Sequence, residues 1–149
     1  MLATLPEREI KSGLAEIVKY GIIGNAGLFK YIETHVDKIK ACNITRDSDI
    51  WAHLITRSVA DKAQVVTQDE KESGRREILN FGHTIGHGVE AASGYGRYLH
   101  GEAVAIGMIG ATRLAETMGF LDAKTAIRID NLIVALGYDC LLYTSDAAD

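Results

Sequence analysis

His83 and His87 lie four residues apart within the segment 80–87. On an α-helix this spacing places both imidazoles on one face, one turn apart. A third histidine, His100, follows in the segment 100–103, and Glu16 lies near the start of the chain. Two or more histidines and one carboxylate are a common zinc ligand set that leaves one coordination position open to substrate. These residue types predict part of a metal-dependent enzyme rather than a plain helical domain.

Residues beside the histidines narrow that chemistry. Thr84 follows the first histidine at the place where a zinc protease carries its general-base glutamate, so protease chemistry is not expected. Gly82 and Gly86 flank the histidines and are expected to leave room for a ligand. The alternative stays open that His83 and His87 are core histidines bonded to backbone carbonyls.

Several cationic residues predict an anionic substrate. Lys19 lies three residues after Glu16, on about the same helical face. Lys62 precedes a polar stretch over 67–76, and Arg76 at its end can bind a carboxylate or a phosphate at two points. Taken singly, each cation can equally be a solvated surface charge.

The composition is that of an ordinary soluble globular domain, with 149 residues, 47% apolar and 24% charged. The formal net charge of −4 argues against a nucleic-acid partner bound through bulk positive charge. No apolar run approaches the roughly 20 residues that span a bilayer, and no signal peptide is visible. Cys42 and Cys140 have no metal or redox spacing. We therefore expect reduced thiols, a cytoplasmic location and no membrane partner.

Apolar residues at helical spacing, interrupted by glycines, predict six helices and no strand, so the chain is predicted to be all-α. The predicted helices cover about 6–20, 26–41, 48–66, 78–92, 101–118 and 122–136. The polar stretch 67–76 is expected to be a solvated loop. The helix over 101–118 is rich in small and apolar residues, and its glycines are expected to allow close helix packing.

The last ten residues, 140–149, do not continue this pattern. They resemble the translation of a transposon-end adapter used in sequencing libraries, and a natural polar tail is the alternative. The predicted organisation is a helical metal- and substrate-binding domain over 1–139, followed by a non-native tail over 140–149.

Several motifs, in matching order and spacing, resemble the 3-dehydroquinate synthase family over about 2–139. They occupy 5–9, 13–21, 62–70, 74–76, 80–87 and 100–108. The resemblance implies a two-domain enzyme, of which this chain carries the C-terminal helical metal and substrate domain. The N-terminal α/β nucleotide-binding domain of the family is absent from the chain, which shows no nucleotide-binding glycine loop. A further lysine near the family's C-terminus would lie beyond the tail, so the domain is expected to be incomplete at both ends.

The resemblance also implies which residues act. Zinc, which cobalt can replace, is implied at a site formed by Glu16, His83 and His100. The substrate-binding positions are implied to be Lys19, Lys62, Glu72, Arg76, Asn80 and His87. Of these, the catalytic ones would be Lys62 and Arg76 at the substrate carboxylate, and Asn80 and His87 toward its phosphate. His87 would manage protons during phosphate loss and would not bind the metal.

The implied reaction converts 3-deoxy-arabino-heptulosonate 7-phosphate to 3-dehydroquinate and phosphate, in the shikimate route to chorismate and aromatic amino acids. NAD oxidises a substrate alcohol transiently and returns unchanged, so the reaction involves no net oxidation. The net change is the loss of phosphate, and the enzyme is therefore a phosphate-eliminating lyase. The full-length enzyme is expected to be a homodimer, and this chain alone is expected to be inactive because the NAD contacts lie mainly in the missing domain.

Three alternatives stay open. One is a related sugar-phosphate cyclase that makes an inosose or valiolone, another is a metal-dependent polyol dehydrogenase, and the third is a non-catalytic helical module. A carboxylate on the substrate distinguishes the first alternative from the main prediction. Lys62 and Arg76 favour a substrate that carries one.

Overall fold

The computed structural model describes residues 4–68, 75–94 and 96–138, apart from the side chains of residues 75 and 76. Within these residues every regular element is helical, which confirms the all-α prediction. The chain divides into two compact units, Met1–Phe81 and Gly82–Asp149. The first unit contains α1 (Glu7–Ile23), α2 (Ala26–Thr34), α3 (Val36–Lys40), α4 (Ser48–Gln68) and a 3₁₀ helix (Arg75–Asn80). The second contains α5 (His83–Ala92), α6 (His100–Thr117), α7 (Ala123–Ile133) and a π-helical turn (Val134–Tyr138).

Helix α1 packs against α2 and α4 in the first unit. Pro6 precedes it, and the Pro6 carbonyl accepts hydrogen bonds from the N–H groups of Glu9 and Ile10. The helix ends at Gly24, whose N–H donates to the carbonyl oxygen of Tyr20. Apolar side chains at spacings of three and four form the core. Those of the first unit that are almost fully buried are Leu14, Val18, Leu28, Ile32, Ile39 and Leu54.

The prediction of one helix over 26–41 is wrong, because the helix breaks at His35 into α2 and α3. The backbone of His35 leaves helical geometry, with φ −113° and ψ 15°. Its Nδ1 lies 2.8 Å from the carbonyl oxygen of Tyr31. The Tyr31 ring stacks on His35 at 4.2 Å and on His53 of α4 at 4.1 Å. A local side-chain contact and a stacking contact with α4 accompany the break, and helical periodicity reveals neither.

The predicted helix over 78–92 is also divided, at Gly82, so that α5 begins only at His83. Gly82 has φ 78°, in the left-handed region, where a side chain would be strained. A Cβ on Gly82 would also come 2.6 Å from Cγ of Met108 on α6. The break at Gly82 therefore allows α6 to pack closely against the start of α5.

The solvated loop predicted over 67–76 is wrong at both ends. Helix α4 continues through Gln68, and the 3₁₀ helix begins at Arg75. The part between them, 69–74, lies outside the described residues. Thr67 and Gln68 are exposed although they are helical. Their polarity therefore indicates contact with water and not the absence of a helix.

Helices α5 and α6 pack closely in the second unit. A Cβ on Gly86 would come 2.9 Å from the carbonyl oxygen of Ala103, and one on Gly107 would overlap the carbonyl oxygen of Gly82. Glycine in α6 thus permits close helix packing, as the sequence predicts. The expectation that Gly82 and Gly86 leave room for a ligand is wrong, because α6 occupies that space.

Helix α7 packs against α6. Asp122 caps α7, accepting from the N–H of Thr125 at 3.0 Å and from the Thr125 hydroxyl at 2.7 Å. Arg113 of α6 forms an ion pair with Asp130 of α7 at 2.6 Å. Burial raises the pKa of Asp130, and the guanidinium of Arg113 opposes that shift. The helical segment closes at Gly137, whose φ is 93°.

The surface of the second unit carries large apolar side chains near the connection between α6 and α7. Phe120 is 78% exposed, Met118 58% and Leu114 56%, and Ile127 of α7 is 49% exposed. Apolar surface of this kind promotes association with other molecules.

Among the described residues, no helix is both long enough and apolar enough to cross a membrane.

Candidate metal centre

Three imidazoles lie together in the second unit. His83 is the first residue of α5, His87 lies one turn further on, and His100 is the first residue of α6. Ring centroids are 5.7 Å apart for His83 and His87, 5.3 Å for His83 and His100, and 5.8 Å for His87 and His100. His83 and His100 offer ring nitrogens within 4.8 Å of each other. His87 is exposed and His83 half-buried, so the alternative of two core histidines is wrong.

A local cap places His100 at the start of α6. The carboxylate of Glu102 accepts a hydrogen bond from the N–H of Leu99 at 2.7 Å, which satisfies a donor at the helix start. Glu102 is nearly buried. Its negative charge adds to the effect of burial in raising the pKa of Tyr138. Glu102 therefore acts on the backbone before His100 and on a buried phenol.

Glu90 is a neighbour of the histidines that sequence reasoning missed. Its Oε1 lies 3.3 Å from Nδ1 of His100, and its side chain is 19% exposed. His87, Glu90 and His100 each offer a donor atom within 4.8 Å of the other two. The signal was present in the sequence, because Glu90 follows His87 by three residues and His83 by seven, on one face of α5.

The first unit contains an ion pair between a carboxylate and a buried ammonium. Nζ of Lys19 donates to Oε2 of Glu16 at 2.6 Å, as their spacing of three predicts. The Lys19 side chain is 4% exposed, and Nζ lies 5.4 Å from the ring centroid of Tyr20. A buried ammonium requires such a partner because desolvation is costly. The pairing fixes the position of Glu16 on α1, and its assignment as a metal ligand stays a prediction.

The other predicted substrate residues belong to the first unit as well. Lys62 lies on α4 and Asn80 ends the 3₁₀ helix, and both are exposed. Arg76 lies in the 3₁₀ helix, but its side chain is outside the described part of the chain, as is all of Glu72. The predicted convergence of these residues around an anion therefore stays a prediction.

The imidazoles and the carboxylate of the second unit are side chains of the types that bind zinc. Neutral imidazoles are the commonest zinc ligands in catalytic sites, and a carboxylate commonly completes such a set. A partly exposed cluster also leaves access for a substrate oxygen. Cobalt takes the same nitrogen and oxygen donors. The arrangement can hold a divalent ion and polarise an oxygen bound to it.

The helical fold and the histidine cluster define the class of this chain as a helical domain with a candidate metal centre. A family model described as "3-dehydroquinate synthase C-terminal" matches residues 13–148. The chain belongs to this family, which confirms the resemblance seen in its motifs.

Relatives named 3-dehydroquinate synthase match nearly the whole chain. The protein from Dictyoglomus thermophilum is 50% identical over 138 residues, which cover 93% of this chain and 38% of the relative. The protein from Geobacter sp. (strain M21) is 52% identical over 136 residues, covering 91% of this chain and 36% of the relative. The chain thus spans less than two fifths of the length of these two relatives.

A solved structure has the same fold over most of the chain. It is ValA, a 2-epi-5-epi-valiolone synthase from Streptomyces hygroscopicus subsp. jinggangensis 5008, with NAD⁺ and Zn²⁺ bound. The TM-score is 0.77 and the sequence identity 30%, and the match covers 91% of this chain and 37% of that one. The similarity supports the prediction that the chain is a helical domain of a larger fold.

Proposed function

We propose that this chain is the helical metal- and substrate-binding domain of a 3-dehydroquinate synthase. The complete enzyme would convert 3-deoxy-arabino-heptulosonate 7-phosphate to 3-dehydroquinate and phosphate in the shikimate pathway. The observation that carries the proposal is the 50% identity to the Dictyoglomus thermophilum 3-dehydroquinate synthase across 138 residues. The reaction, its substrate and its partners belong to the complete enzyme and extend beyond what this chain contains.

The metal would be held by Glu16, His83 and His100. Support comes from the imidazole cluster in the second unit and from the Zn²⁺ bound by the similar valiolone synthase. When bound, zinc or cobalt would polarise a substrate oxygen, and NAD would accept a hydride and return it. Lys19 would orient Glu16 through their ion pair.

The anionic groups of the substrate would be bound by residues outside the metal ligand set. Lys62 and Arg76 would bind the carboxylate, where the planar guanidinium offers two parallel donors. Asn80 and His87 would lie toward the phosphate, and Lys19 and Glu72 would contact the remaining polar groups. His87 is exposed on α5, so its ring can give a proton to a phosphate oxygen or take one from the substrate.

A valiolone or inosose synthase is the second candidate, because the similar solved structure is a valiolone synthase. Its identity to this chain is 30%, against 50% for the 3-dehydroquinate synthase relative, so the first candidate is better supported. The substrate carboxylate separates the two candidates.

The remaining properties belong to the same proposal. The parent enzyme would be a cytoplasmic homodimer whose NAD contacts lie mainly outside this chain. The tail over 140–149 would be non-native, and it lies outside the described residues. The chain alone would be inactive, because hydride transfer needs a nicotinamide held close to the substrate carbon.

A hybrid enzyme tests the function directly. Residues 2–139 would replace the corresponding helical segment of the Dictyoglomus thermophilum enzyme. The hybrid is expected to release phosphate from the heptulosonate when NAD and zinc are supplied, whereas a hybrid with His83→Ala is not. A sugar phosphate without the carboxylate should be a poor substrate. Turnover of that substrate in preference to the heptulosonate would favour the valiolone synthase candidate.

A further inference from the structure

We propose that Glu90 is a positioning residue that orients His100 for metal binding. The inference rests on the proposed function, because it assumes that His100 is a ligand. No part of the predicted ligand or substrate set includes Glu90. The two side chains meet through Oε1 of Glu90 and Nδ1 of His100, 3.3 Å apart.

The hydrogen bond selects which nitrogen of His100 faces a metal. In this proposal Nδ1 of His100 donates to the carboxylate of Glu90, because a carboxylate oxygen accepts hydrogen bonds. Nε2 then keeps its lone pair and points away from Glu90. Metal-binding histidines commonly donate their second ring N–H to a carboxylate in this way, which fixes the tautomer and increases the basicity of the ligand.

The fold makes Glu90 suited to this task. Glu90 lies on the same face of α5 as His83 and His87, and its side chain is only 19% exposed. The glycine contacts between α5 and α6 bring this face beside the first residue of α6. The packing of the two helices thus holds Glu90 beside His100, whose side chain is 49% exposed and accessible to an ion.

Glu102, a second carboxylate near the start of α6, has a different hydrogen-bond partner. Glu102 accepts a hydrogen bond from the N–H of Leu99, at 2.7 Å. Its role is to cap the helix that carries His100. Glu90 is thus the carboxylate that acts on the imidazole, and Glu102 the one that acts on the backbone.

A zinc-affinity comparison on the 149-residue chain tests the inference. The variants are Glu90→Gln and Glu90→Ala, with Glu116→Gln as the matched control, because Glu116 bonds to Arg113 in the same unit at 2.9 Å. Competition against a chromophoric chelator gives the zinc affinity, and circular dichroism verifies that helix content is unchanged. The same variants in the hybrid enzyme give a second measurement in a complete protein.

Glu90→Ala is expected to weaken zinc binding by roughly 10–100-fold, the range typical for loss of such a partner. Glu90→Gln keeps an acceptor oxygen without the charge and should recover part of that loss. Glu116→Gln should bind zinc as the parent does. The visible spectrum of the cobalt-loaded chain should keep its shape in all three variants, because none of them removes a ligand.

Two results would overturn the inference alone. Zinc affinity equal to the parent in both Glu90 variants would show that the contact does not position His100. A cobalt spectrum altered by the loss of one oxygen ligand would show that Glu90 itself binds the metal, together with His87 and His100. A parent chain and parent hybrid that bind no zinc would overturn the proposed metal site as well.

Discussion

Gly86 and Gly88 lie two residues apart on α5 but face different surroundings. A Cβ on Gly86 would come 2.9 Å from the carbonyl oxygen of Ala103 and 3.2 Å from Cα of Val104. These are backbone atoms of α6, which cannot move aside without moving that helix. A Cβ on Gly88 would meet nothing within 4 Å. Replacing each glycine with alanine therefore separates the effect of helix packing from that of helix propensity.

The two substitutions are expected to have opposite signs. Alanine in place of glycine inside a helix is favourable by about 1 kcal/mol, so Gly88→Ala should stabilise the chain by up to that amount. Gly86→Ala gains the same term but adds an overpacking cost of about 1–3 kcal/mol. Its net effect should be a loss of up to about 2 kcal/mol, and the two variants should differ by about 1–3 kcal/mol.

Urea unfolding followed by circular dichroism measures both free energies of unfolding. Zinc affinity provides a second measurement, because Gly86→Ala must shift α5, which carries His83 and His87, relative to α6, which carries His100. We expect weaker zinc binding in Gly86→Ala and parent-like binding in Gly88→Ala. Equal shifts of both variants in the same direction would refute the packing argument.

Three further predictions concern the cap of α7, the substrate anion and the chain by itself. Asp122→Ala should lower the melting temperature at pH 7, and the loss should become smaller as the pH falls below 3.8. Hydrogen bonds from Thr125 lower the pKa of Asp122 from its usual 3.8, so the stabilisation is present above that value and is lost as the pH falls through the lowered pKa; a loss that stays constant on acidification would contradict this. Arg76→Lys in the hybrid should lower kcat/KM by roughly 10–100-fold while zinc content stays at the parent level, because the charge remains but the two-point contact is lost; parent-like kinetics would make Arg76 a surface charge. The purified 149-residue chain should self-associate in light scattering through exposed residues such as Leu114 and Phe120, and release no phosphate from the heptulosonate with NAD and zinc; turnover would require a nucleotide site within these helices.

Features set by neighbours in sequence could be predicted, and the elements bear this out. Pro6 marks the start of α1, Asp122 caps α7, and Gly137 closes the last helical turn. Each of these signals acts within one helical turn. The breaks at His35 and Gly82 could not be predicted in the same way, because they depend on contacts with Tyr31 and His53 and with Met108.

The same distinction between signals within one helix and contacts between helices applies to the candidate site. The shared face of His83 and His87 follows from their spacing. The approach of His100 to that face depends on the packing of α5 against α6, and helical periodicity does not report packing. Spacing places Glu90 on the same face of α5, but its contact with His100 depends on the same packing. Residue types alone make His100 a candidate ligand, and the family resemblance implies the particular set of Glu16, His83 and His100.

The zinc content of the hybrid enzyme and four single variants tests the central claim most directly. We expect one zinc per chain in the parent hybrid, and loss of zinc in Glu16→Ala, His83→Ala and His100→Ala. His87→Ala should retain the zinc but lose turnover, because His87 is assigned to proton transfer and phosphate contact. A full zinc complement in His83→Ala, or loss of zinc in His87→Ala, would contradict the proposed metal centre.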